Sequence, residues 1–428
     1  MNYTALSLSQ TPPLSVPLPY FLLAPLFAMA AAILVMLEGP QLLAGRWSSQ
    51  MLALTHMLTL GVLGTTMLGA IQQLVPVLVG VSLPAQRAVA YILFLLWLAG
   101  TLLLITGMAG EMALTVRVGG ALLAVAVALV VVLIMRSVWL SSSRHATVKA
   151  MGLAVAGLAV TAAIPVYLLF HFNGRLPLAH PLTALHIGWG SLGWLFLLLA
   201  GVAYQVVPMF QITPEYPATL RRRLAPLTVV ALLLWSLQLW LPGFSLLAWL
   251  LAAGTILFAL QTLRLQQRRR RRLADVTLDF WRVAMGCLLL AAISWMVREF
   301  YPLPRLDLTL GLLFFVGFAL SAVNGMLYKI VPFLVWLHLN NHLQRAGSRQ
   351  GKVPNMKQVI PERLARRQFR LHLTALVLLL SAVLLPWFPL PLAAIAWLLS
   401  TVALWWNLFQ ALGLYRRIAG EQEADSVG

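Results

Sequence analysis

The chain is written as long apolar stretches separated by short polar ones. Twelve stretches reach the roughly 18 residues that a helix needs to span a bilayer. They run over 18–37, 51–80, 88–107, 111–136, 149–172, 182–212, 224–241, 245–264, 280–298, 306–337, 370–388 and 391–415. Apolar residues run on continuously within them, instead of alternating with polar ones as in the short strands of an outer-membrane barrel. Several exceed about 20 residues and are expected to tilt or to project beyond the hydrocarbon. Very short turns containing Pro or Gly join 224–241 to 245–264 and 370–388 to 391–415, which predicts two antiparallel helical hairpins. The pattern predicts an all-α membrane protein with about twelve transmembrane helices.

Composition excludes the soluble alternative. The 428 residues are 61% hydrophobic and 10% charged, with a mean hydropathy of +0.89. A soluble domain is about a quarter charged, so too few polar residues remain here to cover a water-facing surface. The formal net charge is +19, which in a soluble protein would point to nucleic acid. Its distribution points elsewhere. The loops after the second, fourth, sixth, eighth and tenth spans, with the C-terminal tail, hold 24 of the 30 Lys and Arg. The opposite side holds five: Arg46, Arg117, Arg175, Arg298 and Arg305. Positive charge accumulates on the cytoplasmic side of membrane proteins, so both termini are expected in the cytoplasm of a bacterium and the chain in its inner membrane. The run Arg268 to Arg272 then reads as an anchor on anionic headgroups, and the expected partner is the lipid bilayer, with no nucleic acid. The first eighteen residues contain no Lys or Arg, so no cleavable signal peptide is expected. The single Cys287 excludes a disulfide framework and a cysteine metal site.

Three segments share a pattern. They are HMLTLGVLGTTMLGAIQQLVPVLVG from His56, HIGWGSLGWLFLLLAGVAYQVVPMF from His186, and LTLGLLFFVGFALSAVNGMLYKIVPFL from Leu308. Gly61, Gly193 and Gly317 each stand fifteen residues before Pro76, Pro208 and Pro332, and Gly69, Gly201 and Gly325 each stand seven before them. The segments fall on the second, sixth and tenth spans. One polytopic domain thus divides into three pseudo-repeated four-helix units, about 1–140, 141–265 and 266–428. Paired glycines on one helix face would allow close approach of a neighbour. A basic cytoplasmic loop is expected over 338–369 and a short tail over 418–428.

Polar residues just inside apolar spans are the candidate functional groups. Of the eight histidines, His56, His171, His180 and His186 gather on the side opposite the basic loops. Two imidazoles from different helices can hold a haem between them, and His56 and His186 open two of the repeated spans. They are the candidate iron ligands, and His171 and His180 are further candidates. Any one of them alone is better explained as an interfacial histidine bonded to a carbonyl; for His56 and His186 together, given the repeat, the two readings stand level. His338 and His342, four residues apart, could share a metal on one helix face, but in a basic loop they read as solvated. His145 and His372 belong to no constellation. Arg298, Glu299 and Asp307, and Glu111 with Arg117, read as ion pairs or interfacial anchors. Trp189 and Trp194 read as members of an aromatic belt. Gln72, Tyr204, Gln205, Tyr328 and Lys329, just before the repeated prolines, read as snorkelling side chains.

The twelve spans in three units, with His56 near the outer start of the second and the Val-Pro closes GVAYQVVPMF and NGMLYKIVPFL, resemble subunit I of the haem–copper oxidases. The stretch PYFLLAPLFAMAAAILVML from Pro19 is similar to the start of NnrS proteins, shorter twelve-helix membrane haem proteins linked to nitric oxide stress. The resemblance implies a low-spin haem b on His56, with His186 as second ligand by repeat logic, and respiratory or denitrification proteins as partners. It departs where oxygen chemistry resides. The tenth span opens Leu308-Thr309-Leu310-Gly311-Leu312 without the paired haem histidines, and the seventh span has none of the copper ligands. Copper, oxygen reduction and proton pumping are therefore not expected, and a redox relay, a sensor or nitric oxide tolerance is. Two other classes stay open: a permease using Glu111, Arg117 and the inner Gln, Tyr and Lys residues at a repeat interface, and an assembly partner of a respiratory complex.

Overall fold

Helices occupy each of the twelve apolar stretches, and no strand occurs among the described residues. The computed structural model describes residues 10–427 except 82, 142–144, 172–179, 241–245, 271–273, 299, 302, 304, 346–352 and 386. The helices are α1 Leu18–Glu38, α2 Ser49–Val79, α3 Gln86–Ala109, α4 Ala113–Leu140, α5 Ala146–His171 and α6 Pro181–Gln211. They continue with α7 Ala218–Gln238, α8 Leu246–Gln267, α9 Val276–Arg298, α10 Leu306–His342, α11 Glu362–Leu384 and α12 Leu390–Val427. Eleven are long and apolar enough to cross a membrane. The remaining one, α7, carries Arg221, Arg222 and Arg223 in its first turns.

The expected loop over 338–369 is mostly helix. The helical backbone of α10 continues to Arg345. Asn355 and Gln358 form a capping box around the turn Met356–Val359, and α11 starts at Glu362. The 418–428 tail is helical through Val427. Hydropathy ends a span where charges begin, but Arg, Glu and Lys are good helix formers, so the helices outlast their apolar windows.

Burial separates an inner set from an outer one. In the most apolar windows of α2, α6 and α10, 89%, 78% and 61% of residues are buried, against 33–50% in the other eight. Outer helices of successive units meet at α4–α5, α8–α9 and α12–α1, so they close a ring around the three inner helices. The ring presents Leu, Ile, Val and Trp outward, including Leu114, Val132, Trp139, Leu237 and Trp387. In water such a surface would aggregate; against lipid tails it is solvated.

The repeated glycines make the inner contacts. In each unit the first helix crosses the inner helix on them. A Cβ on Gly61 would stand 2.6 Å from Phe27 of α1, and one on Gly69 would stand 2.8 Å from Tyr20. On Gly201 it would stand 2.7 Å from Ala150 of α5. On Gly317 and Gly325 it would meet Cys287 at 2.7 Å and Phe280 at 2.8 Å, both on α9. Gly193 is met from the other side: a Cβ on Gly157 of α5 would lie 2.2 Å from the Gly193 carbonyl oxygen. Association of helices in lipid rests on such close packing.

Towards the arginine-rich face, the first turn of α9 is tied to its neighbours by charge. Lys329 of α10 pairs with Asp275 at 3.0 Å, and Arg366 of α11 bridges Asp279 and Glu362 at 3.1 and 2.8 Å. Glu362 also accepts the Val276 backbone N–H. Lys329 is thus paired and not merely snorkelling. Asp275→Asn is expected to lower stability by about 1–3 kcal/mol by leaving the ammonium without its partner. Adding Lys329→Met should restore most of the loss, and thermal unfolding in detergent measures both.

Candidate functional site

His56 and His186 come together. Their ring centres are 6.4 Å apart and their planes 21° from parallel. Metal–nitrogen bonds of about 2 Å, plus half an imidazole on each side, place the centres of two axial ligands roughly 6 Å apart. The geometry therefore fits a metal held between the rings.

Each ring is oriented by a carbonyl. His56 Nδ1 lies 2.8 Å from Leu52 O, one turn back on α2. His186 Nδ1 lies 3.0 Å from Thr161 O on α5. A carbonyl only accepts, so in the neutral ring Nδ1 carries the proton and Nε2 keeps its lone pair for a metal. The Thr161 carbonyl is free for this role because Pro165, four residues on, has no N–H to bond it. The Thr161 hydroxyl donates to Gly157 O at 2.7 Å, in the turn where α5 touches the Gly193 backbone. One local sequence, Gly157-x-x-x-Thr161-x-x-x-Pro165, thus packs α5 on α6 and aims the His186 ring.

A second device lies just inward of the histidines. All three inner helices widen into π turns, over Met57–Gly64, Trp189–Phe196 and Leu312–Leu320. Each contains the first glycine of its repeat. Thr65 and Ser321, both eleven residues before the repeat proline, donate hydroxyls to the carbonyls of Leu60 and Val316, five residues back. Trp97 of α3 also donates to Leu60 O and Thr65 Oγ1, at 3.2 and 3.0 Å. Residues turn the helix less in a π stretch than in an α-helix, so the outer end slips in phase against the inner half. Mid-helix π segments occur often at functional sites.

The outer ends of the inner helices, including the first residues of two of the π turns, are only partly covered. Met57, Leu58, Leu60, Leu185, Leu310 and Leu312 are half-buried, whereas the same helices are buried farther in. His56 and His186 lie on these partly covered stretches. In the third unit the corresponding stretch carries Leu310, Gly311 and Leu312 and no histidine. No group of three or more His, Cys, Asp or Glu side chains gathers among the described residues, so these offer this position two nitrogen donors. A porphyrin, which brings four nitrogens of its own, suits such a donor set.

The other candidates fall differently. The side chains of His171 and His180 lie outside the described residues, as does Glu299. His338 is no solvated loop residue. It sits in α10 with Nδ1 2.8 Å from Leu334 O and Nε2 3.1 Å from Pro12 O, so it fastens the N-terminal segment. His372, without any constellation in the sequence, is fully enclosed. Its Nε2 lies 2.7 Å from Ser321 Oγ, beside a pocket with room for about one water, lined by Asn324, Thr66 and Thr401. Trp189 and Trp194 are buried core residues and not belt residues, and Trp189 donates to Ser236 at 3.0 Å. Gln72, Tyr204 and Tyr328 are also buried, and Tyr328 accepts from Asn407 at 2.9 Å. Hydropathy could not separate inner from outer helices, because lipid and core are both apolar.

Of the charged residues, Arg298 and Asp307 form the expected ion pair, and Arg46 joins it: Asp307 is shared by Arg46 at 2.8 Å and Arg298 at 2.5 Å. Glu111 lies in the turn between α3 and α4 with a left-handed φ of 55°, and it accepts from Ser49 at 2.7 Å.

No protein-family model and no curated protein matches the chain.

Proposed function

We propose that this protein binds one b-type haem between His56 and His186 and serves as a redox relay or sensor in a bacterial inner membrane. The observation that carries the reading is the pair itself: two nearly parallel imidazoles at the separation of axial ligands, each with Nδ1 fixed on a carbonyl. Bound haem would supply a one-electron iron centre. The chain's residues would supply the two imidazole nitrogens, and the Leu52 and Thr161 carbonyls would hold the two rings in place. Two side-chain axial ligands leave no open coordination position, which favours electron transfer or sensing over oxygen reduction. A contribution to nitric oxide tolerance, and contact with respiratory or denitrification proteins, belong to the same reading. Purified protein should carry about one haem per chain, read by the pyridine haemochrome; protein free of haem after expression in haem-replete cells would sink the proposal.

The orientation belongs to the proposal too, with both termini in the cytoplasm on the strength of the arginine distribution. The only cysteine, Cys287, is buried, so single introduced cysteines report cleanly. An impermeant maleimide added to spheroplasts should label Met112→Cys and not Asn355→Cys. The reverse pattern would invert the topology.

A further inference from the structure

A second site stands at the same end of the bundle as the histidines, between the start of α2 and the start of α10. It is a cavity of ≈ 330 Å³ lined by Arg46, Trp47, Arg305, Asp307, Leu308 and the turn Leu43 to Gly45. The sequence puts only five Lys or Arg on this face. Three of them, Arg46, Arg298 and Arg305, converge here, and two share the single carboxylate of Asp307. Arg305 donates to the Val383 carbonyl at 3.2 Å, which fixes its position without neutralising it. Arg46 lies over the ring of Trp47, 4.7 Å from its centre. That contact holds the guanidinium plane while its N–H edge donates to Asp307. The floor is the first turn of α10, a helix of 37 residues whose N-terminal dipole adds positive potential.

We propose that this cavity binds an anion bearing a carboxylate or phosphate group. Guanidinium forks match such oxyanions with two parallel hydrogen bonds. The space has room for many waters, enough for a small organic acid with some of its hydration. Asp307 occupies the guanidinium forks as an internal stand-in, so an incoming anion competes with it. A small solute could supply the carboxylate, and so could the side groups of the haem proposed above. The chemistry is the same, and the experiment separates the sources.

Haem-free protein, from haem-deficient cells, is titrated calorimetrically with succinate and with phosphate at constant ionic strength, with chloride as control. Saturable binding is expected, at least tenfold weaker in Arg46→Gln and Arg305→Gln and tighter in Asp307→Asn. Arg46→Lys, which keeps the charge and loses the fork, should fall between wild type and Arg46→Gln, and thermal unfolding of each variant shows that it is folded. Binding in haem-free protein that disappears on loading with haem would name the haem's own carboxylates as occupant; binding in both forms would name a solute. Binding equal in wild type and both Gln variants would reduce the cluster to diffuse surface charge and overturn the proposal. Absence of saturable binding to haem-free protein would overturn it too. Haem-free protein reads this site whether or not the histidines ligate iron.

Discussion

Replacing His56 by alanine is expected to strip most of the haem and leave the remainder five-coordinate and high-spin, and His186→Ala should do the same. The two ring centres stand 6.4 Å apart, and no third His, Cys, Asp or Glu joins them among the described residues. His186→Met should keep six-coordination and raise the midpoint potential, because a thioether is a softer, less basic axial ligand than imidazole. The redox titration of that variant separates a ligand role from a structural one, since a mere packing loss would not raise a potential. Pro165→Ala offers an indirect test of the second ligand. It returns an N–H to position 165, which draws the Thr161 carbonyl back into the helix and away from His186. Partial loss of haem without unfolding is the expected result. Unchanged reduced spectra in both alanine variants would move the ligands elsewhere, with His171 and His180 next to test.

The second large effect is mechanical. Gly157→Val should destabilise the protein by about 3 kcal/mol or more and abolish the histidine pairing. A Cβ there would lie 2.2 Å from Gly193 O and 2.5 Å from Gly193 C. Both are backbone atoms of an inner helix, so no side chain can swing aside to make room. The only relief is to separate α5 from α6, and that moves the Thr161 carbonyl from His186. Gly286→Ala is the matched control, since nothing lies within 4 Å of its added Cβ. Detergent-solubilised protein should show a lowered Tm for the first variant and an unchanged one for the second. Equal Tm values would mean that the α5–α6 contact is looser than described.

Much of this architecture is legible in the residues. The three repeats, their glycines and their prolines mark α2, α6 and α10 before any coordinates, and these are the three most buried helices. A signal for the Thr161 carbonyl was also present: Pro165 sits four residues on, and a proline always orphans that carbonyl. Its recipient could not be named, because His186 lies 25 residues away across a helix–helix contact. The π turns leave little trace. Their segments are as apolar as the α-helical ones around them, and only Thr65 and Ser321, at matched positions, hint at a carbonyl needing a second donor. His372 belongs to no constellation in the sequence for a related reason: its partner Ser321 is 51 residues away on another helix.

By itself, then, the sequence determined a membrane-spanning all-α chain, twelve helices, a threefold internal repeat, a strong charge asymmetry between its faces, and which histidines lie at one end. These follow from composition and from periodicities along the chain, which are local properties. Tertiary structure alone decided which repeats face the centre, that two histidines from different units stand at ligand distance, and that three sparse arginines meet around one aspartate. Those outcomes depend on how helices cross. The crossings depend on shape, on a missing Cβ at Gly157 or an extra residue in a π turn, and hydrophobicity carries no record of shape when both core and lipid are apolar.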